Sequence, residues 1–140
     1  MRNYLFLLPA LLFLLISIMN MAKATGVAPM EIKGARTIST ATAKLLLDKG
    51  YPFIDVRGND DFNRGHIPGA SHLSVKSEAF TTDNLRKIVD KDKVVIFYCN
   101  GAACMGSSIA SKKAIEWGWT RILYYRAGFK EWKENGLAIQ

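Results

Sequence analysis

A chain of 140 residues, 49% of them hydrophobic, can build one sizeable core and is too short for two domains of ordinary length. Its formal charge of +7 draws anions in, yet no long Lys/Arg run and no interleaved aromatic stripe marks a nucleic-acid face, so nucleic acid is set aside as a partner. Two cysteines and two histidines at spacings foreign to zinc sites give no reason to expect a metal.

In chain order, Arg2 precedes an almost wholly apolar run over Leu5–Met19, and Ala22-Lys23-Ala24 supplies small residues at both positions of a cleavage site. That layout predicts a signal peptide over residues 1–24, a domain over 25–140, and export to a periplasm with no membrane insertion after cleavage. The apolar run is short for a bilayer span, which needs about 20 residues. Loss of Arg2 and Lys23 leaves 17 basic against 12 acidic side chains, or +5. Gly26–Lys33 reads as a loose lead-in and Ala35–Ile38 as a short strand. A helix follows, capped by Ser39 or Thr40, running through Asp48 with Leu45–Leu47 facing the core, and Gly50 stops it. Tyr51–Val56 is a β-rich run. Asp60–Asn63 reads as a helical turn, and Gly65–Gly69 as a turn into a strand near Ala70–Leu73. Asp83–Asp90 spaces Leu85, Ile88 and Val89 for a helix. Beyond Gly118, Arg121–Tyr125 is a strand and Gly128 opens a last helix carrying Phe129 and Trp132.

Between these lies the stretch with chemical content. The apolar run from Val94 breaks off at Cys99, a loop of small residues follows, and from Ser107 the spacing turns helical, with Ala110, Ala114 and Trp117 on one face. Cys99 therefore sits between a strand end and a helix N-terminus, where free amides and the helix dipole favour an anion. Gly101, Ala102 and Ala103 have little bulk, so the backbone from Asn100 through Met105 to Gly106 can curl its amides inward around a thiolate or persulfide. A buried cysteine closing a core strand is the plainer alternative. Strands alternating with helices predict an α/β fold whose mostly parallel sheet is covered on both faces, with ligands at the carboxyl ends of the strands.

Several motifs, in order, give the chain a familiar outline: Ile54-Asp55-Val56-Arg57, Asp61-Phe62, Gly65-His66-Ile67-Pro68-Gly69-Ala70, the cysteine after Tyr98, and Ala127-Gly128-Phe129 with Trp132. Together they resemble a single-domain rhodanese from about Ile38 to Ile139. The resemblance implies a sulfurtransferase, without cofactor, whose Cys99 takes a sulfane sulfur from thiosulfate, polysulfide or a persulfide. The resulting persulfide passes that sulfur to a thiol or cyanide, so the expected partners are small sulfur-containing anions or thiols. One departure matters. Where such loops carry an arginine five positions after the nucleophile, this chain has Cys104, and Met105 stands where the Cys-x5-Arg loop of cysteine phosphatases needs its arginine.

Cys104 opens a second reading, a thiol–disulfide redox protein in which it pairs with Cys99 or resolves a persulfide or sulfenic acid there. A non-catalytic binding module is the third. Asp55, Arg57 and Asp61 read as an ion-paired brace of the site's rim, and Arg126, after the last strand, as the candidate to replace the missing loop charge. His66 is expected to hold its turn by hydrogen bonding, and His72 to be an ordinary strand residue.

Overall fold

A computed structural model describes residues 26–140, so the expected signal segment lies outside the described residues. Five short strands, β1 (Ala35–Thr37), β2 (Phe53–Asp55), β3 (Ser71–His72), β4 (Val95–Tyr98) and β5 (Ile122–Tyr125), form one sheet in the order β1-β5-β4-β2-β3. Every pairing is parallel, so all five carboxyl ends lie along one edge. The connections carry helices α1 (Thr40–Asp48), α2 (Asn59–Arg64), α3 (Thr82–Ile88) and α4 (Gly106–Glu116), and α5 (Gly128–Glu134) follows the last strand.

Strand alternation distributes the core. Val95 and Phe97 of β4 join Ile54, Ile122, Leu85, Ala110 and Ala114 on one side, whereas Ile96 and Tyr98 join Phe53, Tyr125, Ala43, Phe129 and Trp132 on the other. All four β4 residues are fully buried, as a central strand covered by helices on both faces requires. The expected α/β architecture is found, with the sheet wholly parallel.

Three local expectations are corrected. The lead-in is not loose: Ala28 and Ile32 are buried, and the Ala28 amide donates to the Ala102 carbonyl at 2.7 Å. Leu45 is 55% exposed, because the core-facing stripe of α1 runs through Ala43, Leu46 and Leu47. Ser39 alone caps α1, its Oγ accepting from the Thr42 amide, while the Thr40 hydroxyl is buried against the Tyr125 hydroxyl at 2.8 Å and Glu131 Oε1 at 2.6 Å. Burial pushes the Tyr125 phenol up to about 12, so it stays protonated in that bond.

Candidate active site

Cys99 follows the last residue of β4, at the strand-end edge of the sheet, and Gly106 begins α4. The loop between them folds back on itself through a Cys104 amide to Gly101 carbonyl bond of 2.9 Å. That brings Cys104 over Cys99, and the two sulfurs are joined in a disulfide with Cα atoms 6.3 Å apart, inside the range such bonds require. The sulfur expected as a thiolate is thus held in oxidised form. Cys99 is buried at 3% exposure; Cys104 is half-buried nearer the surface.

Gly106 is what makes room for the pair. A Cβ there would stand 3.0 Å from the Cys99 sulfur and 3.5 Å from that of Cys104. Among the described residues, the amides of Gly106, Ser107 and Ser108 take no carbonyl acceptor, as expected of a first helical turn, so the anion-favouring end of α4 abuts the sulfurs. Of the loop amides expected to form the cradle, that of Cys104 is spent on the loop's own turn. The Cys99 and Asn100 carbonyls are turned the other way, accepting from the Phe129 and Lys130 amides at 2.9 and 2.8 Å. Gly128, at φ +65°, lies directly beneath them.

The cysteines line a cavity of about 570 Å³ with Val56, Arg57, Asp61, Val75, Lys76, Met105 and Ile109. Arg57 is in this mouth but its charge is already engaged. Its guanidinium donates to both Asp55 oxygens, at 2.6 Å for the shortest contact, and to the Gly65 carbonyl at 2.7 Å, and it lies 4.2 Å from the Phe129 ring centroid. Asp55, fully buried, also accepts from the Tyr98 hydroxyl at 2.5 Å and the Arg57 amide at 3.0 Å. Burial works against the Arg57 charge, but the hydrogen bond and attraction of Asp55 hold its pKa above the ordinary value. Burial, followed by the Asp55 charge, raises Tyr98 far out of the titrating range. Asp61, at the rim, is held below the usual carboxylate range, first by the Asn100 side-chain amide at 3.2 Å and then by Arg64.

Arg126 does not replace the loop charge. Its guanidinium donates to the Ala28 and Pro29 carbonyls at 2.9–3.1 Å, and it borders a separate hollow of about 510 Å³ behind the loop, beside Asn100–Ala103 and α5. Its place after the last strand suggests a charge at the strand-end face, but the lead-in folds across it and offers two carbonyls. His66 holds its turn as expected, through Nδ1 against the Phe62 carbonyl at 3.0 Å. His72 does more than a strand residue need do: Nε2 lies 2.8 Å from the Arg57 carbonyl, and both imidazoles stack on the Phe62 ring. Sequence reasoning missed Val75, Lys76 and Ile109 as lining residues, since they are brought in by a loop after β3 and an exposed position of α4. It also missed Gly128 as the support of the cysteine loop, for which a glycine ahead of an aromatic at a helix start was the available signal.

The family model for the rhodanese-like domain matches residues 39–135, most of the chain. The chain belongs to the rhodanese-like family. Among curated relatives, this rhodanese-like chain is 27% identical over 117 residues to an HTH-type transcriptional regulator of Mycobacterium tuberculosis, covering 81% of this chain and 50% of that protein. It thus spans half the length of that relative. It is 29% identical over 117 residues to Arsenate reductase 2.1 of Oryza sativa subsp. japonica, covering 75% and 73% of the two chains. A crystal structure of a Bacillus halodurans protein superposes with a TM-score of 0.67 at 26% identity, covering 77% of this chain and 78% of that one.

Proposed function

We propose that this rhodanese-like chain is a sulfane-sulfur transferase in which Cys99, once freed from Cys104, carries the transferred sulfur as a persulfide. The observation that supports this most directly is the position of the Cys99 sulfur: at the end of a central strand, against the first residue of α4, on the wall of an open cavity. A thiol so placed is acidified by the helix end, and the persulfide anion formed on it is favoured by the same field. Expected partners are small sulfur-containing anions or thiols, met in an exported, oxidising setting if the first 24 residues act as a signal peptide.

The charges of the mouth bear on which donor is used. Arg57 is neutralised by Asp55, Cys104 stands where an arginine would grip a dianion, and Asp61 at the entrance is paired with Arg64, so that the exposed Lys76 is the lining charge left unpaired among the described residues. Thiosulfate is therefore a weaker donor than an organic persulfide or polysulfide. Exchange of Asp61 for asparagine is expected to raise thiosulfate loading roughly twofold to fivefold at low salt, the gain shrinking as salt is added. Equal rates for the two proteins in stopped-flow sulfite release would remove this account of selectivity. For arsenate or phosphate the same deficit is worse, because Met105 supplies no guanidinium fork, so the rice relative's activity is not carried over.

The test of the persulfide is intact-mass analysis of the reduced protein after incubation with an organic persulfide. One added sulfur is expected on Cys104→Ser, in which Cys99 is intact and has no partner to discharge it, and none on Cys99→Ser. Equal addition to both would overturn the proposal, and sulfur-free Cys99 with a stable partner in pull-downs would favour a binding module. The disulfide itself favours a second reading, thiol–disulfide exchange, which requires the bond to open with dithiothreitol and reclose with oxidant.

A further inference from the structure

We propose that Cys104 resolves the persulfide of Cys99, so that the domain reduces sulfane sulfur to hydrosulfide instead of storing it for a passing acceptor. The inference rests on the Cys99 persulfide proposed above. In the first step the Cys99 thiolate attacks the sulfane sulfur of the donor. A sulfur–sulfur bond forms at Cys99 and the donor's own bond breaks, releasing sulfite from thiosulfate or a thiol from an organic persulfide. In the second step the Cys104 thiolate attacks the inner sulfur, Cys99 Sγ. The outer sulfur takes a proton from solvent, the Sγ–Sγ bond forms, the bond to the outer sulfur breaks, and its electron pair leaves with that sulfur as hydrosulfide. The sulfane sulfur gains two electrons, the two cysteines lose them, and an external dithiol returns the disulfide to the reduced pair.

Four features of the loop converge on this step. The Cα separation of 6.3 Å suits a direct bond between the two cysteine sulfurs, the product the second step must reach. Cys99 is buried while Cys104 is half-buried above it, so a bulky acceptor meets Cys104 before it can reach a persulfide beneath. The guanidinium groups near the loop are engaged, Arg57 by Asp55 and Gly65 and Arg126 by Ala28 and Pro29, and Lys76, the lining cation without a partner among the described residues, is exposed at the rim. The persulfide is therefore held by the helix end and not by a fixed guanidinium, and the adjacent Cys104 thiolate is placed to discharge it. Gly106 leaves space against both sulfurs, and the cavity before them gives hydrosulfide, a less basic leaving group than an alkyl thiolate, a way out.

The experiment uses reduced, desalted protein under anaerobic conditions, with glutathione persulfide in one arm and excess thiosulfate in the other. Glutathione or sulfite reports loading, bimane-trapped hydrosulfide reports resolution, and intact mass reports the state of the protein. Wild type is expected to release about one equivalent of hydrosulfide per chain and to end two hydrogens lighter, as a disulfide. Cys104→Ser, and Cys104→Ala as a check on folding, are expected to keep the added sulfur and to release less than about a tenth as much hydrosulfide. Wild type that retains the sulfur with Cys104 still alkylatable would overturn the inference and leave the persulfide reading standing. Hydrosulfide release from Cys104→Ser at the wild-type level would do the same. Failure of every protein to load in both arms would overturn the persulfide reading, and the resolving role with it.

Discussion

Asp55→Ala is expected to lose about 3–5 kcal/mol of folding stability, a large part of what a domain of this size has to lose. The carboxylate is fully buried and takes three groups at once: the Arg57 guanidinium, the Arg57 amide and the Tyr98 hydroxyl. Its removal leaves a guanidinium 4% exposed with only the Gly65 carbonyl and a 3.4 Å contact to Asn100 as hydrogen-bond partners, and a phenol that has lost its acceptor. The Tyr98 hydroxyl also accepts from the Ile67 amide, so the turn through Gly65–Gly69 loosens with it. Urea unfolding checks the size of the effect. A shift of the midpoint of roughly 1.5–3 M follows from ordinary denaturant slopes, and a loss below about 1 kcal/mol would show that the buried pair is not what braces the rim. Asp61→Asn, on the exposed side of the same rim, is expected to leave the midpoint nearly unchanged.

Gly128→Ala is expected to disable sulfur loading by more than about tenfold and to destabilise the fold by several kcal/mol. A Cβ at this position would come within 2.5 Å of the Cys99 carbonyl oxygen, 3.0 Å of the Gly101 nitrogen and 3.1 Å of the Asn100 carbonyl carbon, all backbone atoms with no flexible end to move. The chain there also has φ +65°, a conformation that costs an alanine roughly 1–2 kcal/mol before any clash. Relief requires the cysteine loop to lift off the amides of Phe129 and Lys130, and the position of the sulfur depends on those two bonds. Gly50→Ala separates the two terms. Gly50 has φ +80° with nothing within 4 Å, so its variant is expected to pay only the backbone cost and to load sulfur normally. Equal losses in the two variants, by thermal unfolding and by glutathione release on treatment with glutathione persulfide, would remove the steric argument.

Both residues lie within motifs that the sequence displays, yet their roles were legible to different degrees. An acid two residues before an arginine at a strand end suggests a pair from chemistry alone, and the pair is found. Nothing near Gly128 in the chain announces that its partner is the carbonyl of Cys99, because that contact spans two parallel strands and their helices. The same limit explains Arg126. As a residue after the last strand it reads as a free charge, and the carbonyls that engage it belong to Ala28 and Pro29, close to the start of the described chain.

The amino-acid order alone determined which segments alternate as strands and helices, that the sheet is covered on both sides, and that a cysteine stands where a strand gives way to a helix. These follow from periodicity and turn chemistry, which act over a few residues. Tertiary structure alone decided which cations remain available at the mouth, that the lead-in is strapped to the cysteine loop, and that Cys99 and Cys104 are bonded. Those outcomes depend on strand order and on the curl of one loop, where contacts between distant residues choose among conformations that local preference leaves nearly equal in energy.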